Sequence, residues 1–107
     1  MRILVLAAAL SVCAAPAAAQ TTPLRTRGQA ILQASCSNCH AIGRTGASKH
    51  KQAPPFRDVA KRYPPQSLEE ALGEGLITGH PDMPEFVFSP EDIAAIVAYL
   101  NGLRGSR

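Results

Sequence analysis

Tryptophan is absent from the 107 residues, and three phenylalanines and two tyrosines are the only large rings. A chain this short with so little aromatic bulk builds a thin core, and domains of this size are ordinarily marginal without a staple. Charge is sparse as well, at 18% of residues, and no apolar run reaches the roughly twenty residues that cross a bilayer. The longest, Ile3 to Val12, reads as the centre of an export signal, with Met1-Arg2 as its positive start and Ala17-Ala18-Ala19 as the small residues before cleavage. The expectation is a signal peptide over 1–19 and one domain over 20–107. Cys13, behind Leu10-Ser11-Val12, is placed like a lipidation site, but Val12 is larger than the residue that normally precedes a lipidated cysteine. Ordinary cleavage is therefore expected to discard Cys13.

Only two cysteines follow residue 19, so no separate structural disulfide is available to an exported domain that would usually carry one. Both lie in Cys36-Ser37-Asn38-Cys39-His40. Two thiols three positions apart, with an imidazole directly behind, is the spacing of covalent c-type haem attachment: each sulfur adds to one vinyl group and the histidine is held beneath the iron. A redox-active dithiol, a zinc site and a pair of buried thiols without a ligand stay open as rivals at this point. A buried haem would also supply the apolar centre that the side chains lack.

Methionine is equally scarce. Apart from Met1 the chain has Met83 alone, in Gly79-His80-Pro81-Asp82-Met83-Pro84-Glu85-Phe86. If iron takes a thioether opposite His40, Met83 is its source, and a neutral soft sulfur favours the ferrous state relative to a second imidazole. Prolines on both sides stiffen that backbone. His80 is the rival ligand, with a surface or loop-bonding role as its plainer reading. His50, among Lys49, Lys51 and Gln52, reads as a solvated loop residue.

With these motifs in place the chain resembles the class I, mono-haem cytochrome c family over nearly all of residues 20–107. The resemblance implies an all-α cytochrome c fold, three to four short helices around one haem c bound through Cys36 and Cys39, with N- and C-terminal helices crossing. It implies His40 and Met83 as axial ligands, a proline carbonyl that accepts the His40 Nδ1 proton (Pro54 by position, Pro55 as the other candidate), and Phe56 packed near the ring. It also pairs Gly28 of the first helix with Tyr99 of the last. The function implied is a periplasmic electron carrier rather than an enzyme, handing one electron between redox proteins such as a dehydrogenase, oxidase or reductase. Such a carrier works as a monomer or as a subunit of a redox complex. The alternative is a haem-based enzyme or small-ligand sensor in which Met83 is displaceable. Nucleic-acid binding is not supported, because no aromatics interleave with the basic residues, and stable membrane insertion of the mature protein is not expected.

Local signals predict the helices. Thr26 and Gln29 form a capping box for a helix from about Arg27 to Ser35, and Phe56 to Arg62 reads as a short helix ended by Pro64. Ser67 and Glu70 suggest another box, opening a helix to Gly73 or Gly75. Ser89-Pro90-Glu91-Asp92 is the clearest start, followed by Ile93, Ile96, Val97, Leu100 and Leu103 at helical spacing, with Asn101-Gly102 as the stop. No stretch reads as a strand. Charge is segregated: eight basic residues face one acid, Asp58, between Arg25 and Arg62, whereas Tyr63 to Leu103 holds seven acids and no Lys or Arg. If the blocks stay apart in space, the resulting dipole orients encounters with a partner.

Overall fold

The computed structural model describes residues 10–14, 17–77 and 79–105, with the backbone alone for 17–21. Most of the expected signal peptide lies outside the described residues; within it, 10–14 are irregular and exposed. Among the described residues four helices follow: α1 Ala17–Ser35, α2 Phe56–Arg62, α3 Glu69–Glu74 and α4 Pro90–Arg104, with a 3-10 turn over Pro65–Leu68 leading into α3. Among the described residues there is no strand, as the all-α expectation requires.

The last helix is the centre of the packing. Ser89 caps it by accepting from the Asp92 N–H, Pro90 takes the first helical position, and Glu91 and Asp92 sit where the helix dipole is positive. Ser89→Ala is expected to cost about 1 kcal/mol, read as a lower urea midpoint with an unchanged denaturant slope. Ile93, Ala95, Ile96, Val97, Leu100 and Leu103 are all buried, and α1, α2, the 3-10 turn and α3 each pack against this helix. Leu32 of α1, Ala60 of α2 and the loop residue Ile42 join Ile96, Leu100 and Leu103 in one core cluster. Tyr99 extends from the same helix to donate its phenolic hydrogen to the Ile42 carbonyl at 2.6 Å. Burial holds that phenol above its ordinary pKa, partly offset by the Arg44 charge.

Gly28 is what lets α1 and α4 cross so closely. A Cβ there would stand 2.0 Å from the Ala95 oxygen and 3.0 Å from the Tyr99 Cβ. The expected Gly28–Tyr99 contact is present, but the nearest atoms belong to the Ala95 backbone. Arg27 beside it bonds Asp92 at 2.7 Å, so the basic and acidic blocks meet here instead of remaining apart. Both groups are partly exposed, and a pair of this kind contributes at most about 1 kcal/mol.

Three helix boundaries differ from the local signals. Thr26 is not an N-cap: α1 begins at Ala17, because the alanine-rich stretch before it extends the helix, and the Thr26 hydroxyl donates instead to the Thr22 carbonyl. Ser67 is not one either, since Pro64 and Pro65 start the turn earlier and its hydroxyl donates back to the Pro64 carbonyl at 2.7 Å. Gly102 does not end α4, which runs to Arg104 because Leu103 is buried in the core. Gly75 does end α3, with φ 110°, a conformation that disfavours any residue with a Cβ. From there to Ser89 the described chain is irregular, and this segment carries Met83.

Candidate functional site

Cys36 is the first residue beyond α1, and the helical hydrogen bonding does not stop there. Cys36 N–H donates to Leu32, while Cys39 N–H and His40 N–H both donate to the Cys36 carbonyl at 3.2 and 2.9 Å. This extra turn brings Cys36, Cys39 and His40 together directly below a helix that α4 holds in place. All three are half-buried, and both thiols are free.

The orientation of His40 is fixed from its far side. Its Nδ1 lies 2.8 Å from the Pro54 carbonyl. A carbonyl can only accept, so Nδ1 carries the proton and Nε2 keeps its lone pair, the arrangement common behind metal-bound imidazoles. Pro55 is not the partner: its carbonyl accepts from Asp58 and Val59 at the start of α2. Phe56, the first residue of α2, lies against the imidazole with ring centroids 4.7 Å apart, and its N–H returns to the Ala41 carbonyl at 2.9 Å. Residues 40 to 56 thereby close into a loop whose two ends are hydrogen-bonded beside the histidine.

Met83 is half-buried in the irregular segment after α3, and its N–H donates to the His80 carbonyl at 3.2 Å in a tight turn. His80 has a loop-bonding role: its Nδ1 accepts from the Asp82 N–H and its Nε2 meets the Gln52 side-chain oxygen. His50 departs from its reading as a solvated loop residue. It is half-buried, it donates its backbone N–H to the Cys39 carbonyl, and its ring bonds Asp82 at 3.1 Å. Sequence reasoning missed it because its partner is 32 positions away, which no local pattern records.

The two rival uses of the cysteines find little support. Burial, with Cys39 adding to it, pushes the Cys36 thiol up to about 11, whereas a reactive dithiol needs a lowered thiol pKa. For zinc, the group of His, Cys, Asp or Glu ligand atoms gathered closely enough among the described residues is His50, His80 and Asp82, and it includes neither cysteine.

The residues present do fit a covalently attached haem. The donor set is two protonatable thiols on one turn, an imidazole with an available Nε2, and a thioether in a separate segment. Phe56, Leu68, Leu72 and Phe88 remain only partly buried against the core, while Ile77 and Val87, on either side of Met83, are 79% and 67% exposed. That is apolar surface without an apolar cover. Arg57, next to Phe56, has a buried Nη1 with no hydrogen-bond partner. Buried guanidinium donors are normally matched by acceptors, anionic ones above all, and haem propionates are of that kind. Arg57 carried no sequence signal beyond its place after Pro54-Pro55-Phe56.

Comparison with known proteins gives one family match: the model described as cytochrome c oxidase, cbb3-type, subunit III covers residues 23–100. No curated protein and no solved structure matches.

Proposed function

The chain belongs to this family of mono-haem c-type cytochrome domains, and on that premise we propose that it is a periplasmic one-electron carrier whose haem iron is held by His40 and Met83. Domains of the family are typically electron carriers and not enzymes, and they carry haem c covalently. Bound haem supplies the ferric–ferrous couple. Everything else falls to the side chains. Cys36 and Cys39 would hold one edge of the group through thioether bonds, each S–H adding across one vinyl double bond without an oxidant. His40 offers Nε2, Pro54 retains the proton on Nδ1, and Phe56 blocks rotation of the imidazole by lying on it. Met83 supplies a soft sulfur that biases the iron towards ferrous. With haem bound, His40 and Met83 would be the side chains that hold its iron, and ligands that did not exchange between oxidation states would keep rearrangement small.

The single observation that carries this reading is the 2.8 Å contact between His40 Nδ1 and the Pro54 carbonyl, since it leaves the lone pair of Nε2 able to bind a metal. The partner proposed is another redox protein, of the kind an oxidase subunit serves, met through a small and transient interface. No helix among the described residues is long and apolar enough to cross a membrane, and removal of residues 1–19 on export is part of the same proposal.

The test is attachment itself. Co-expressed with a haem-attachment system, the parent is expected to keep its colour through denaturation, whereas the Cys36→Ser, Cys39→Ser double variant loses all of it. A colourless parent that is nonetheless folded overturns the proposal.

A further inference from the structure

Two irregular segments meet beside the site, the first of them part of the loop that follows His40. One runs through His50 and Gln52; the other is the turn from His80 to Met83. His50 is anchored first by its backbone, whose N–H donates to the Cys39 carbonyl at 3.1 Å. Its Nδ1 accepts from the Gln52 N–H at 3.1 Å, which places the ring proton on Nε2, directed at the Asp82 carboxylate 3.1 Å away. His80 repeats the pattern: Nδ1 accepts from the Asp82 N–H at 3.2 Å, leaving Nε2–H to donate to the Gln52 side-chain oxygen. The two rings meet edge to face with centroids 5.3 Å apart.

His50, His80 and Asp82 bring ligand atoms within 4.8 Å of one another, enough for three ligands of a zinc site. Proton placement argues against that use. A metal on Nε2 needs the remaining proton on Nδ1, yet in both rings Nδ1 faces a backbone N–H. The imidazoles are arranged as hydrogen-bond donors, so the cluster is better read as a clasp.

We infer that His50 and Gln52 are positioning residues for Met83: they tie the turn carrying the methionine to a segment that hangs from the Cys39 carbonyl. The inference rests on the reading of Met83 as an axial ligand. Its chemistry is the ordinary weakness of a neutral thioether on ferric iron, which makes the bound fraction sensitive to how freely the turn swings away. The apparent affinity of an external ligand scales with the fraction of molecules whose methionine is off. Loss of one or two hydrogen bonds in the clasp raises that fraction by roughly tenfold.

The experiment titrates ferric holoprotein with imidazole, following the weak red band of sulfur ligation. His50→Ala and Gln52→Ala are each expected to bind imidazole about tenfold more tightly than the parent, with unchanged helix content and unchanged covalent haem. His50→Gln, whose amide can still donate to Asp82, is expected to recover most of the difference. An Asp82→Ala change made on top of His50→Ala is expected to add almost nothing. Imidazole affinities equal to the parent's in both alanine variants, or full additivity of the Asp82 change, overturn the inference while leaving Met83 ligation intact. A parent without the red band instead overturns the ligation itself.

Discussion

Met83→Ala is expected to abolish the red ferric band completely, to open the ferrous iron to carbon monoxide at neutral pH, and to lower the reduction potential. The reasoning is one of supply. After Met1, the chain has no other thioether, so nothing of like softness can replace it. On the proposed ligation by His40 and Met83, the fall in potential follows from losing a thioether that would favour ferrous iron, and a tenth or more of the roughly 0.8 V that axial ligands command is the scale to look for. His80 is the nearest nitrogen donor in sequence, but its Nδ1 accepts from Asp82 and its Nε2 is engaged by Gln52. A variant that keeps the parent's spectrum and potential would remove Met83 from the site. Visible spectroscopy, carbon monoxide mixing and a redox titration on one preparation give all three readouts.

Gly28→Ala is expected to be the most damaging single methyl in the domain. The added carbon would fall 2.0 Å from the Ala95 oxygen and 2.6 Å from its carbonyl carbon, and helix backbone does not yield as a flexible side chain does. Helices α1 and α4 must separate, which loosens Leu32 against Ile96 and Leu100 and pulls on the Tyr99–Ile42 bond. Overpacking ordinarily costs about 1–3 kcal/mol; with backbone on the receiving side the upper end applies, a large share of a stability of about 5–15 kcal/mol. Chemical denaturation of the holoprotein measures it. Gly102→Ala is the internal control on the same pair of helices. There a Cβ meets the movable end of Arg25 at 3.3 Å, and alanine is the better helix former, so the expected change is small. Equal stability losses at the two glycines would refute the close-crossing account.

What could be read in the sequence follows the range of the forces involved. Helix α4 was legible from end to end of its buried face, because Ser89-Pro90-Glu91-Asp92 and the spacing of Ile93, Ile96, Val97, Leu100 and Leu103 are short-range patterns that tertiary packing reinforces. The capping signals at Thr26 and Ser67 misled, since the same hydroxyls serve equally well by bonding back to a preceding carbonyl once neighbouring residues start the helix earlier. In the candidate site, the attachment motif is contiguous and could be read directly. A glycine inside a helix already points to a close backbone at Gly28, but its partner in α4, like the partnership of His40 with Pro54, came from family resemblance, because nothing in the intervening residues encodes those contacts. His50, Gln52 and Arg57 were not legible at all: their significance is a matter of what faces them across space.

One consequence of the α4-centred architecture concerns timing. The helix on which α1, α2 and α3 each pack is also the last of the four to leave the ribosome. Until residues 90–104 arrive, the earlier segments have no platform on which to condense, and the burial that shields Cys36 does not yet exist. A maturation enzyme working on the emerging chain would thus meet the thiol pair on pliable polypeptide, and closure of the body would follow once the cofactor was already in place.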